Sequence, residues 1–244
     1  ETPHGGRGAR LMTPEILFED NHCLVVNKPA GMLSQGDETG EPSLVSWTAD
    51  YWREKYDKPG NVYVGLVHRL DQPTSGVVLL ARTSKAAGRL ADQFRRGDVS
   101  KLYWAIVEGR PDVESGEWID HLEKDRRTNV VRTTAEGEGK IARVAFEVLH
   151  SEGGITKLAL RPKTGRSHQL RVQLAERGMP IVGDRKYGSK RMVRALDGEP
   201  RIALHARELT FMHPTKREPV RIEAPVREDW PESAPGWWRS TTGR

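Results

Sequence analysis

His68-Arg69-Leu70-Asp71-Gln72-Pro73-Thr74-Ser75-Gly76 is the stretch on which the reading of this chain turns. Two β-like runs flank it, residues 61–67 before and 76–80 after. A turn rich in Pro, Ser, Thr and Gly therefore displays a carboxylate close to an arginine. Loops held between strands are where catalytic groups are commonly displayed. Taken alone, the segment also reads as an Asx-type turn built by Asp71 and Thr74, with Arg69 in solvent.

On the N-terminal side, Ile16-Leu17-Phe18 and the run from Cys23 to Val26 read as a short strand pair. Asn27-Lys28-Pro29-Ala30-Gly31 then breaks the pattern. Ser43 suits the cap of a helix whose apolar positions Leu44, Trp47 and Tyr51 recur at three and four residues. On the C-terminal side, residues 84–96 have helical spacing, with Ala87, Leu90, Ala91 and Phe94 on one face. Ser84 lies near the N-cap and Gly97 at the stop. Residues 101–107, 141–149, 155–160, 202–211 and 220–222 read as strands, and 168–176 as a short helix ended by Gly178. Many strands with few helices between them predict an α+β fold with a largely antiparallel sheet. No linker, repeat or low-complexity tract divides the chain. Residues 1–14 read as a loose lead-in and 15–228 as one domain. The tail, 229–244, carries Trp230, Pro231, Pro235, Trp237 and Trp238.

The chain has 244 residues, 36% hydrophobic and 30% charged, enough to bury a substantial core. No uninterrupted apolar run approaches the length that spans a bilayer, which excludes a helical membrane span. Residues 1–10 contain no apolar core of a secretory signal. Cys23 is the single cysteine, so no internal disulfide forms and a zinc site built on several cysteines is not expected, which fits a reducing cytoplasm. The 39 Lys and Arg against 34 Asp and Glu give a net charge of +5, which permits a polyanionic partner without demanding one.

Arg161-Pro162-Lys163-Thr164-Gly165-Arg166-Ser167-His168-Gln169-Leu170-Arg171 places four cations and no acid in eleven positions, at the start of a helix. Such an array suits phosphates through guanidinium forks and free backbone N–H groups, or else forms a solvated basic face. His168 and Arg171 are three apart and share a helix side. Further clusters lie at Lys85, Arg89, Arg95 and Arg96 and at Arg185, Lys186, Lys190, Arg191 and Arg194, which together favour a polyanion site. Other chemistries lack their signatures. Arg69 and Asp71 are not adjacent as in a kinase catalytic loop, and Gly137-Glu138-Gly139-Lys140 is too short for a P-loop. The eight histidines show no HExxH spacing, and no G-x-S-x-G occurs.

These segments resemble the RluA-type RNA pseudouridine synthases, which isomerise uridine in RNA. The resemblance covers roughly residues 16–225, with six motifs in the family's order. Residues 68–76 are similar to the family's HRLDxxTSG, and Val26-Asn27-Lys28-Pro29-Ala30-Gly31 to its xNKPxG. Lys101-Leu102-Tyr103 resembles the K-x-Y strand and Thr164 to Arg171 the TGRxHQxR element. Gly178 to Gly188 resembles GxPIxGDxxYG. Leu204-His205-Ala206 with Phe211-Met212-His213-Pro214 resembles LHA…F.HP. Two features depart from the pattern. Gln173 stands where relatives often have His, a change expected to affect packing rather than chemistry. Only residues 1–15 precede the first strand, so no S4 RNA-binding module is seen in this sequence.

The resemblance implies the pseudouridine synthase fold, a largely antiparallel mixed sheet flanked by helices with a central catalytic cleft. It implies an isomerase acting on ribosomal or transfer RNA, with Asp71 as the essential carboxylate, either abstracting a sugar proton or attacking covalently. Arg171 is the expected cationic partner, with phosphate binding as the lesser alternative, and Tyr103 would stack on the uracil. Extrusion of the uridine costs a few kcal/mol, and Arg69 is the residue suited to enter the vacated stack. Leu204 would line the pocket floor, while His68, Lys28, Arg166 and His168 would make backbone or phosphate contacts. No metal or organic cofactor is implied, because the isomerisation is redox-neutral and transfers no activated group. The expected partner is RNA rather than DNA or membrane, and the expected state a cytoplasmic monomer. The alternative is a non-catalytic RNA-binding or ribosome-assembly protein on the same fold.

Overall fold

The computed structural model describes residues 13–37, 40–125, 127–194, 200–228 and 230–231. Most of the lead-in, and Pro235, Trp237 and Trp238 of the tail, lie outside the described residues. In chain order the elements begin with β1 (Glu15–Glu19), β2 (Cys23–Lys28), α1 (Leu44–Lys55), β3 (Gly65–Leu66), β4 (Ser75–Ala81) and α2 (Ser84–Arg96). Then come β5 (Ser100–Glu108), β6 (Ser115–Asp125), β7 (Val130–Thr134), β8 (Lys140–Glu152), β9 (Ile155–Pro162) and α3 (Gln169–Ala175). A 3₁₀ turn (Arg185–Tyr187), β10 (Val193–Arg194), β11 (Pro200–Arg201), β12 (Leu204–Met212) and β13 (Pro219–Glu223) complete the order. The expected α+β class holds. No helix among the described residues is long and apolar enough to cross a membrane.

The chain folds as two compact units. One comprises the residues up to Ser100 with Ala206–Pro225, the other Lys101–His205 with the residues from Val226. Two of the boundaries fall inside β5 and β12 rather than in linkers, which is why no shift of composition marks them.

In the first unit β2 pairs antiparallel with β1 and, from Cys23↔Ala81 to Lys28↔Gly76, with β4. β13 pairs with β12 from Glu208↔Glu223 to Met212↔Pro219. Every residue of β2 and β4 is buried, as their near-continuous apolar sequence requires. Gly76, the second residue of β4, has φ +117°, and a Cβ there would lie 2.3 Å from the carbonyl oxygen of Ala206, so only glycine fits. Residues 61–67 are shorter as a strand than expected, with the ladder confined to Gly65 and Leu66.

Ser43 caps α1 as anticipated. Its hydroxyl accepts from the Ser46 N–H, and the Ser46 hydroxyl accepts from the Ser43 N–H. The cap of α2 is Thr83 rather than Ser84, and Gly97 closes it at φ +79°. The buried stripe of α2 is Ala86, Leu90 and Gln93, one position round from the expected face. The Gln93 amide bonds both backbone groups of Met212, at 2.9 and 2.8 Å, which draws a polar residue inward.

Asp20, Cys23 and His213 lie close enough to share an ion, but both His213 ring nitrogens are engaged. Nδ1 faces the backbone N–H groups of Thr215 and Lys216, and Nε2 lies 2.7 Å from the Asp20 carboxylate. Asp20 in turn caps the His22 and Cys23 N–H groups, so the cluster is a hydrogen-bonded hub. Cys23 is fully enclosed in β2, and burial, with Asp20 nearby, pushes its thiol up to about 12.

The second unit carries the antiparallel order β5-β9-β8-β6-β7. Its core gathers Ile106, Phe146, Leu158, Leu160, Leu174 and Ile181. Trp230 is buried in the same core, with its ring near His205. β6 and β7 escape a reading by hydrophobic periodicity. Of β6 only Leu122 is fully buried, and Trp118 reaches the core by stacking on Phe146 at 3.8 Å.

Glu19 ties the end of α1 to β1. Its carboxylate accepts from the Tyr51 hydroxyl (2.8 Å), Trp52 Nε1 (3.2 Å), Lys55 Nζ (2.5 Å) and the Tyr56 hydroxyl (2.8 Å). Burial pushes this carboxyl up, but the donors outweigh it and hold it below the ordinary range. A depressed carboxylate stabilises the fold above its unfolded pKa of about 4.3, and that contribution disappears as pH falls through the lower folded value. Glu19→Gln therefore lowers the melting temperature at pH 7. The gap to the unaltered protein narrows below about pH 4, as thermal scans across pH would show.

Candidate active site

The residues singled out by sequence divide between the two units. His68, Arg69, Asp71 and Lys28 belong to the first, and Tyr103, Arg166, His168, Arg171 and Leu204 to the second.

In the first unit the turn is built from both sides of Asp71. The Asp71 carbonyl accepts from the Thr74 N–H at 3.0 Å, and the Gln72 carbonyl accepts from the Gly31 N–H at 2.8 Å. Lys28 Nζ donates to Gln72 O (3.2 Å), Pro29 O (2.9 Å) and Met32 O (2.8 Å). Lys28 is wholly buried, which corrects its assignment to substrate binding: an ammonium sealed among backbone carbonyls does not reach a phosphate. His68 accepts the Leu79 N–H on Nε2 at 2.9 Å and stacks on Phe94 at 4.5 Å, joining the loop to β4 and α2. Asp71 is half-buried, and Arg69 is exposed. The backbone on either side of this carboxylate is thereby fixed without regular secondary structure around it.

In the second unit Tyr103 sits on β5 opposite Leu160, half-buried. Lys101, two residues earlier on the same strand face, donates to the Thr164 carbonyl at 3.3 Å. Burial lowers the pKa of its ammonium. Leu204 opens β12 within the core cluster of this unit.

Arg171 stands apart from the other cations of its segment. It is buried on α3, with Nε 2.6 Å from one Asp184 oxygen and Nη2 2.8 Å from the other, a bidentate ion pair. Its guanidinium lies 5.0 Å from the Tyr187 ring centroid. The Tyr187 hydroxyl accepts from the Val131 N–H at 3.1 Å and lies 2.7 Å from His168 Nδ1. His168 itself holds a left-handed φ of +50° at the start of α3. Arg166 is exposed, with Nε donating to Ile141 O at 2.9 Å.

Asp184 and Tyr187 are letters of the Gly178–Gly188 motif, which by itself assigns them no role. The signal that could have found Asp184 is the rule that a buried arginine needs a carboxylate. Gly183 makes Asp184's placement possible. At φ +89°, a Cβ there would lie 2.2 Å from Arg201 O.

Gln173 is fully buried and donates to Asp120 at 2.7 Å. The basic array 161–171 is less free than its sequence suggests. Arg161 pairs with Glu147 at 3.4 Å and Lys163 with Glu117 at 3.0 Å. On α2, Arg95 pairs with Asp92 and Arg96 with Asp98.

A family model described as RNA pseudouridylate synthase matches residues 22–176. An uncharacterised RNA pseudouridine synthase of Zymomonas mobilis is 36% identical over 218 residues, covering 88% of this chain and 95% of that protein. A protein named ribosomal large subunit pseudouridine synthase D, of Xanthomonas campestris, is 37% identical over 226 residues, covering 88% of this chain and 66% of that protein. Among solved structures, human RNA pseudouridylate synthase domain containing 4 superposes with a TM-score of 0.71 at 25% identity. That match covers 88% of this chain and 90% of the human one.

Asp184→Ala leaves a buried guanidinium without its carboxylate. The expected loss is about 3–5 kcal/mol of unfolding free energy, read as a lower urea midpoint, with Asp184→Asn falling between.

Proposed function

The chain belongs to the RNA pseudouridylate synthase family, and from that membership we propose that it isomerises uridines of ribosomal or transfer RNA with Asp71 as the catalytic carboxylate. The observation that carries this reading is the half-buried Asp71 in a turn whose neighbouring backbone carbonyls are each bonded to an ordered donor. Preorganised geometry of this kind supports catalysis, because a misplaced group loses rate steeply.

The reaction breaks C1′–N1, turns the uracil and joins C5 to C1′. The proton leaving C5 balances the one gained at N1, so atoms and charge are conserved without a redox partner. Asp71 acts as its carboxylate, taking a sugar proton or bonding to the sugar. Tyr103 is assigned to stack on the uracil ring, and Arg171, held by Asp184, to supply positive charge. Extruding a stacked uridine costs about a few kcal/mol, and exposed Arg69 suits the vacated position. Arg166 and His168 contact the backbone. The protein works as a monomer in the cytoplasm, on RNA rather than DNA.

The test is tritium release from ribosomal and transfer RNA labelled at uracil C5. The unaltered protein releases tritium, and Asp71→Asn is slower by about 10³-fold or more. Release by neither protein would favour an RNA-binding protein without catalysis. Release by both would remove Asp71 from its role.

A further inference from the structure

We propose that Ser34 is a positioning residue for catalysis, its hydroxyl holding both backbone polar groups of Leu70 and thereby aiming the next side chain, Asp71; this inference rests on the role given to Asp71 above. Ser34 Oγ donates to the Leu70 carbonyl at 2.7 Å and accepts from the Leu70 N–H at 3.2 Å. Both residues are buried, so these two backbone groups have no water to fall back on. A hydroxyl offers one donor and two acceptor sites, and one serine therefore serves the N–H and the C=O together. Alanine serves neither, and threonine keeps the whole capacity.

Ser34 is itself anchored. Leu33 forms a parallel bridge with Ser43, the cap of α1, and the Leu33 carbonyl accepts from the Leu44 N–H at 2.7 Å. On the other flank, Gln72 is held by Gly31 and Lys28, and the Asp71 carbonyl by Thr74. Residues 28–34 thus grip the turn on both sides of the carboxylate, and Ser34 is the member of that grip acting on Leu70 through a side chain. Removing its hydroxyl leaves two buried groups to find partners by moving residue 70. A shift of about 1 Å at a reacting group costs on the order of 10²-fold in rate.

The experiment is tritium release under saturating and limiting RNA, normalised to folded protein, for the unaltered chain, Ser34→Ala, Ser34→Thr and Asp71→Asn. For Ser34→Ala, kcat is expected to fall about 10- to 100-fold while KM stays within about twofold, since the buried hydroxyl does not meet RNA. Ser34→Thr is expected to recover most of kcat. A Ser34→Ala protein with unchanged kcat, or one losing melting temperature but no rate per folded molecule, overturns the proposal. So does a Ser34→Thr protein as slow as Ser34→Ala. Should Ser34→Ala not fold, Ser34→Cys, which keeps the shape with a weak donor, is read by the same criteria. An unaltered protein that releases nothing would overturn the Asp71 reading itself, an outcome distinct from all of these.

Discussion

The ammonium of Lys28 is the constraint on which the surroundings of Asp71 depend. A cation shut away from water is tolerated only when its protons are taken up, and here Pro29, Met32 and Gln72 each offer a carbonyl. Those carbonyls come from two stretches of chain some forty residues apart, neither of them helix or strand. One buried charge therefore fastens an irregular turn to an irregular loop, where a sheet ladder could not. Gly31, Thr74 and Ser34 then complete hydrogen bonding that the charge has made geometrically possible.

In the second unit a run of cations is a poor guide by itself. Along residues 161–171 four positive side chains look alike in sequence. In the fold they separate by partner. Arg161 and Lys163 meet acids presented by β8 and β6, Arg166 lies in the open, and Arg171 is enclosed with Asp184. Solvated pairs of the first kind contribute little to stability, whereas the enclosed pair is costly to break. The partner of a cation, more than its neighbours along the chain, decides what it does.

Much of the architecture was readable because local signals and tertiary packing agree there. The continuous apolar runs of β2 and β4, the Ser43 cap and the Gly97 stop each need only nearby residues to be understood. Where long-range bonds override local preference, sequence and structure part. Gln93 turned α2 by pairing with Met212, and β6 held its place through Trp118 on Phe146 despite a mostly polar sequence. At the candidate site the reactive aspartate stood out from its turn, yet its supports did not. Nothing near Ser34 or Lys28 in the sequence says that residues 70 and 72 lie against them.

Cys23 gives the first unit a property useful at the bench. Its thiol is enclosed within β2 and disfavoured as thiolate, so alkylating agents and mild oxidants find no nucleophile while the sheet is closed. Because no second sulfhydryl exists in the sequence, reaction with a maleimide dye counts openings of that one strand. The molecule thus carries its own clock for local unfolding, without any label being engineered into it.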